Sequence, residues 1–133
     1  MSKKAKILIV DDDPVFVDST KAVLESKNYE VSSAGDGDEG IRKAAEVKPD
    51  LIILDVIMPT KDGFTACEQL KKDPRFSEVP VIILTSFAEK RGESNIPVSA
   101  GLTLEAEAYV DKPVAPQRLL DTVERLLTRA GFH

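Results

Sequence analysis

Short runs of apolar residues, rich in Val and Ile, recur along the chain and alternate with segments that have helical spacing. The runs are Ile7–Val10, Val31 with its neighbours, Leu51–Leu54, Val81–Leu84 and a weaker fifth at Ala108–Asp111. Runs of about four apolar residues bounded by turn or charged residues are typical of strands buried on both faces. The pattern therefore predicts five short, buried strands.

Amphipathic stripes lie between these runs and predict helices. One stripe begins just after Pro14, and proline is favoured in the first turn of a helix. The clearest stripe consists of Leu119, Leu120, Val123, Leu126 and Leu127. Residues 88–107 contain Gly92, Pro97 and Gly101 and show no clean period, so we expect a short or irregular helix there.

Alternation of buried strands with helices predicts an α/β fold, in which a parallel sheet carries helices on both faces. Crossovers between parallel strands are right-handed, which leaves few topologies. With 133 residues, we expect residues 1–133 to form a single domain.

Composition narrows the range of chemistry. The formal net charge of −5 argues against a nucleic-acid partner. The chain has one cysteine, Cys67, and one histidine, His133, which argues against Cys/His zinc sites and histidine catalysis. A metal should therefore be a hard cation bound by oxygen ligands. The apolar runs are too short to span a membrane, so we expect a cytoplasmic protein with no membrane partner.

Polar residues follow the predicted strands at the points where each strand ends, and ligands bind at the carboxyl ends of parallel strands. Asp11, Asp12 and Asp13 follow the first run, Asp55 the third and Thr85 the fourth. Lys112 comes just after the fifth candidate strand. We therefore expect carboxylates, a hydroxyl and an ammonium group at one edge of the sheet.

Converging carboxylates require compensation, because two of them about 4 Å apart repel by roughly 4 kcal/mol at an effective dielectric constant of 20. Mg²⁺ and one lysine would supply it, and Mg²⁺ prefers a few carboxylates together with water and phosphate oxygens. An aspartate can also act as a nucleophile in phosphoryl transfer. A simpler alternative is that Asp11, Asp12 and Asp13 cap the helix that begins at Pro14, with Asp13 as the best candidate for the cap itself.

Taken together, four motifs resemble the receiver domain of two-component response regulators. They are Ile7-Leu8-Ile9-Val10-Asp11-Asp12-Asp13-Pro14, Leu54-Asp55-Val56-Ile57-Met58-Pro59 with Asp62-Gly63, Leu84-Thr85-Ser86, and Lys112-Pro113. The interval between the last two motifs, 27 residues from Thr85 to Lys112, is several residues longer than is usual in the family. The resemblance spans essentially the whole chain. It implies a flavodoxin-like three-layer fold with a five-stranded parallel sheet of order 2-1-3-4-5 and five helices, the fourth irregular here.

The resemblance also implies a metal site and a phosphoacceptor. Asp55 would accept the phosphoryl group and help to bind Mg²⁺ or Mn²⁺. Asp12 would be a direct metal ligand, and Asp11 would act on the metal mainly through water. Ile57 would contribute its backbone carbonyl.

The resemblance also implies roles in catalysis and switching for three further residues. Thr85 would donate a hydrogen bond to the phosphoryl oxygens, and Lys112 would pair with them. Tyr109 matches the aromatic position that swings inward when Thr85 moves, although burial in the core would explain Tyr109 equally well.

By this resemblance the protein is a phosphoacceptor that receives its phosphoryl group from a sensor histidine kinase or a phosphotransfer protein. It would promote its own phosphorylation and dephosphorylation without being a classical enzyme. Its output would be contact between a downstream protein and the face formed by the fourth helix, fifth strand and fifth helix.

Three alternatives stay open. The chain could be a receiver-shaped binding module that is not phosphorylated, or a receiver excised from a longer regulator. An aspartate-nucleophile phosphatase is a third alternative, but it would need segments to cover a small substrate, for which 133 residues leave no room.

Overall fold

Strands and helices alternate along the chain, as the hydrophobic pattern predicts. The computed structural model describes residues 4–55, 63–85, 108–111 and 114–131. In chain order, its elements are β1 (Lys6–Val10), α1 (Pro14–Glu25), β2 (Glu30–Ala34), α2 (Gly37–Val47), β3 (Leu51–Asp55), α3 (Gly63–Lys72), β4 (Val81–Thr85), β5 (Ala108–Asp111) and the C-terminal helix (Pro116–Arg129).

The five strands form one parallel sheet of order β2-β1-β3-β4-β5. This is the order that the resemblance to receiver domains implies, and the hydrophobic pattern alone could not have ordered the strands. The described residues contain four helices. The irregular helix expected within residues 88–107 falls outside the described part of the chain.

Side chains of each central strand alternate between two hydrophobic cores, one on each face of the sheet. Ile7 and Ile9 of β1 belong to the core that includes residues of α1 and the C-terminal helix. Leu8 and Val10 belong to the opposite core, with residues of α2 and α3. All five residues of β3 are buried, which fits its place in the middle of a sheet covered on both faces.

Helix α2 packs unusually close to β1. A Cβ atom added at Gly40 would lie 2.8 Å from Cγ2 of Val10, so a larger residue would push the helix away from the strand. Asp36 caps α2, and its Oδ1 accepts a hydrogen bond from Glu39 N at 2.8 Å. Asp11 directly follows Val10, so the residue before this carboxylate is packed against α2.

Across the described ranges, every helix is too short or too polar to cross a lipid bilayer.

Candidate metal centre

The pairing register of the sheet brings the polar strand ends to one level. Val10 of β1 pairs with Leu54 of β3, so Asp11 and Asp55, the next residues, follow neighbouring positions at the same edge. Asp55 pairs with Leu84 of β4, so Thr85 lies one residue further along the adjacent strand. The carboxyl ends of β1, β3 and β4 therefore meet.

Three carboxylates converge at this edge. Asp11, Asp12 and Asp55 each offer an oxygen atom that lies within 4.8 Å of the oxygens offered by the other two. Asp11 and Asp55 are only 2% and 4% exposed, whereas Asp12 is exposed. The cluster thus has a buried base and one solvent-facing carboxylate, which leaves it accessible from one side.

The backbone around Asp11 is held by hydrogen bonds from two directions. Asp11 N donates to the carbonyl oxygen of Ala34 at the end of β2, at 3.0 Å. Oδ1 of Asp11 accepts a hydrogen bond from the backbone N–H of Asp13 at 2.9 Å. These bonds fix both the strand end and the side chain of a buried member of the cluster.

Asp13 forms the N-cap of α1, which confirms the prediction for this residue. Its Oδ1 accepts hydrogen bonds from Val15 N at 3.0 Å and Phe16 N at 3.3 Å. Its carbonyl oxygen accepts from Val17 N at 3.0 Å. The hydrogen bond from Asp13 N to Asp11 was not predicted, although the Asp-x-Asp spacing permits it, because aspartate side chains often accept from the N–H two residues on.

The donor set suits a hard divalent cation. All three side chains offer carboxylate oxygens, which Mg²⁺, Ca²⁺ and Mn²⁺ prefer over nitrogen or sulfur ligands. Three like charges at this spacing repel one another, and a divalent cation between them would offset that repulsion by attracting each carboxylate. The three carboxylates therefore have the chemistry and the spacing that such a cation requires.

The other predicted site residues are placed less fully. Thr85 is the last residue of β4 and pairs with Asp111 of β5, while Tyr109 pairs with Ile83. Ile57 and Lys112 lie outside the described residues. The structure therefore brings Asp11, Asp12 and Asp55 together and fixes Thr85 and Tyr109 by backbone register.

Comparison with known proteins gives a consistent match. A family model described as the response regulator receiver domain matches residues 7–124. Protein PilH of Pseudomonas aeruginosa is 37% identical over 123 residues, which cover 92% of this chain and 98% of PilH. Other curated relatives are longer regulators, and the chain spans about half of their length or less.

Solved structures show the same fold. A CheY-like response regulator receiver domain protein from Methanospirillum hungatei has a TM-score of 0.85 and 30% identity, with 97% of this chain and 98% of that chain covered. The receiver domain of a sensor histidine kinase from Pseudomonas aeruginosa has a TM-score of 0.82 and 27% identity, with 95% and 99% covered. That second structure has a magnesium ion coordinated in its active-site cleft.

Proposed function

The chain belongs to the family of response regulator receiver domains, and we propose that it accepts a phosphoryl group on Asp55 in a two-component phosphorelay. The observation that carries this proposal is the convergence of Asp55 with Asp11 and Asp12 at the carboxyl edge of the sheet. Asp55 ends the fully buried central strand, so its carboxylate extends from backbone that is packed on both faces of the sheet.

Asp11, Asp12 and Asp55 would hold Mg²⁺, or Mn²⁺ in its place, with the backbone carbonyl of Ile57 as the further ligand that the family implies. The oxygen donor set and the magnesium ion in the related receiver domain from Pseudomonas aeruginosa support this assignment. When bound, the cation supplies positive charge against the phosphoryl oxygens, where negative charge develops during transfer.

In the proposed transfer, a carboxylate oxygen of Asp55 attacks the phosphorus of a phosphohistidine on the donor protein. The new P–O bond forms as the P–N bond breaks, and the imidazole nitrogen keeps the electron pair and ends as neutral imidazole after taking up a proton. Dephosphorylation is attack by water on the same phosphorus. The Asp55 carboxylate then leaves with the electron pair, and inorganic phosphate and a proton are released.

Thr85 and Lys112 are proposed to hold the phosphoryl oxygens through a hydroxyl hydrogen bond and an ammonium pairing. Thr85 ends β4 beside Asp111 of β5, and Lys112 follows Asp111 directly, so the backbone register supports this placement. Tyr109 lies two residues before Asp111 on β5. We propose that Tyr109 changes position with Thr85 and so carries the signal to the face around β5.

The partners in this proposal are proteins. A sensor histidine kinase or a phosphotransfer protein donates the phosphoryl group, and a downstream protein binds the face that the family forms from its fourth helix, fifth strand and fifth helix. We place this relay in the cytoplasm, where buried thiols such as Cys67 stay reduced. Residues 1–133 are proposed to act as a single receiver domain.

Intact mass spectrometry after incubation with acetyl phosphate and Mg²⁺ tests the proposal. We expect a mass increase of about 80 Da, the mass of one added HPO₃ group. The increase should be absent in Asp55→Ala and after chelation of the metal.

Asp50→Ala is the matched control, because Asp50 directly precedes the same strand and its Oδ2 accepts a hydrogen bond from Lys6 N at 2.8 Å. This variant should be phosphorylated as the wild type is. Absence of any adduct on the wild-type protein would contradict the proposal and favour a receiver-shaped binding module that is not phosphorylated.

A further inference from the structure

A single residue, Asp13, connects the first turn of helix α1 to the carboxylate cluster. Its side chain accepts hydrogen bonds from Val15 N and Phe16 N, and its own N–H donates to Oδ1 of Asp11. We propose that Asp13 is a positioning residue for the cation site, an inference that rests on the function proposed above. Asp13 is outside the group of three carboxylates that would bind the metal.

The first step of the argument concerns the buried ligand Asp11. Its backbone is fixed by the hydrogen bond to Ala34 at the end of β2, but that bond does not set the direction of its side chain. The hydrogen bond from Asp13 N to Oδ1 of Asp11, 2.9 Å long, does set it. The N–H of Asp13 therefore helps to orient the carboxylate of Asp11.

The second step concerns what keeps that N–H in place. Asp13 has an extended backbone, with φ −96° and ψ 104°, as an N-cap residue requires. Its side chain and carbonyl together accept hydrogen bonds from three N–H groups in the first turn of α1, those of Val15, Phe16 and Val17. The cap therefore ties the backbone of Asp13 to a twelve-residue helix.

The third step concerns Asp12, the exposed member of the cluster. Asp12 lies between Asp11 and Asp13, so both of its neighbours are fixed by the hydrogen bonds described above. Loss of the cap would free the turn at its helical end and let two ligands of the cluster move. Residues that orient metal ligands in this indirect way change metal affinity by about 10–100-fold when they are replaced.

Two substitutions at position 13 separate the cap from the charge. Asp13→Ala and Asp13→Asn remove the same negative charge, but asparagine caps a helix about as well as aspartate does, whereas alanine does not. Mg²⁺ binding to the metal-free full chain is measured by isothermal titration calorimetry at fixed ionic strength. We expect Asp13→Ala to bind Mg²⁺ about tenfold more weakly than Asp13→Asn. Asp13→Ser, which also caps, should behave as Asp13→Asn does.

Asp36 provides a matched control, since it caps α2 through the same kind of hydrogen bond, from Glu39 N to its Oδ1. Asp36→Ala and Asp36→Asn should bind Mg²⁺ with equal affinity. If the Mg²⁺ affinities of the two Asp36 variants differed as much as those of the two Asp13 variants, general loss of helix stability would explain the effect. That result would overturn the inference.

Amide hydrogen exchange of the metal-free protein gives a second readout that does not depend on activity. We expect the backbone amide of residue 13 to be less protected from exchange in Asp13→Ala than in Asp13→Asn, because its hydrogen bond to Asp11 opens more often without the cap. Equal Mg²⁺ affinities for these two variants would overturn the positioning role while leaving the proposed function intact. A wild-type protein that binds no Mg²⁺ would overturn the cation site and, with it, the positioning role.

Discussion

Strand β3 begins directly after Asp50 and ends at Asp55, so it has an aspartate at each end. The carboxylate of Asp50 accepts a hydrogen bond from the backbone N–H of Lys6 at the start of β1. Asp55 instead lies among two other carboxylates, from Asp11 and Asp12. The same residue type thus ties two strands together at the amino edge of the sheet and gathers negative charge at the carboxyl edge.

The difference follows from the direction of the strands. At the amino edge, the carboxylate of Asp50 meets a backbone donor from the neighbouring strand. At the carboxyl edge, the last residue of β3 and the two residues after β1 bring acidic side chains close together. Of these two ends of β3, the carboxyl end is the one that suits a cation, because its carboxylates repel one another. A bound cation there would in turn attract the oxygens of a phosphoryl group.

Added Mg²⁺ should produce the largest difference between the two edges. At a concentration of about 100 times its dissociation constant, a ligand that binds only the folded state stabilises it by about 2.7 kcal/mol. We expect this increase in the free energy of unfolding for the wild type and for Asp50→Asn, and a much smaller one for Asp55→Asn. Urea denaturation with and without Mg²⁺ measures it. Equal stabilisation of all three proteins would place the cation away from Asp55.

Without metal, the same substitution should have opposite effects at the two ends of β3. Asp55→Asn removes a like charge from a buried cluster, so we expect the free energy of unfolding to rise by about 1–2 kcal/mol in the presence of a chelator. Asp50→Asn weakens the hydrogen bond to Lys6 N, so we expect a fall of about 1 kcal/mol.

Urea denaturation in chelator-containing buffer measures both changes. If the two variants shifted stability in the same direction, the contrast between the edges would be wrong.

The smallest expected effect concerns Asp73, in the segment that leads from α3 to β4. Like Asp50, this aspartate accepts hydrogen bonds from another residue of the chain, in this case Arg75. The side-chain hydrogen bond from Arg75, about 2.7 Å between Nη2 and Oδ2, lowers the pKa of Asp73 below its ordinary value of 3.8. The stabilising contribution of this carboxylate is present above that ordinary pKa and is lost as the pH falls through the lower pKa of the folded state.

Carbon-13 NMR titration of the Asp73 carboxyl should show the lowered pKa in the wild type and a return towards 3.8 in Arg75→Ala. An unchanged titration in that variant would show that the side chain of Arg75 is not the cause.

Much of the fold could be predicted from the sequence because buried parallel strands leave a strong signal. Ile7–Val10 and Leu51–Leu54 are uninterrupted apolar runs, and both are strands covered on two faces. The strand order came only from the resemblance to receiver domains, because periodicity shows which residues are buried and not which strands are neighbours. The tight contact between Gly40 and Val10 was not predicted, since it depends on how α2 lies on the sheet.

The candidate site also has features that the sequence predicted and one that it did not. The convergence of Asp11 and Asp55 was predicted because the carboxyl ends of parallel strands meet at one edge. The cap at Asp13 was predicted from its place before Pro14. The hydrogen bond from Asp13 to Asp11 was not, because it depends on the backbone angles of the turn, which the residue types permit but do not fix.

The most direct test of the account is to locate the phosphoryl group in the chain. After reaction with acetyl phosphate and Mg²⁺, borohydride reduces an aspartyl phosphate to homoserine, and tandem mass spectrometry of the peptides identifies the position. The account predicts homoserine at position 55 alone, with none when Mg²⁺ is chelated. Homoserine at position 11, 12 or 50, or at no position, would contradict it.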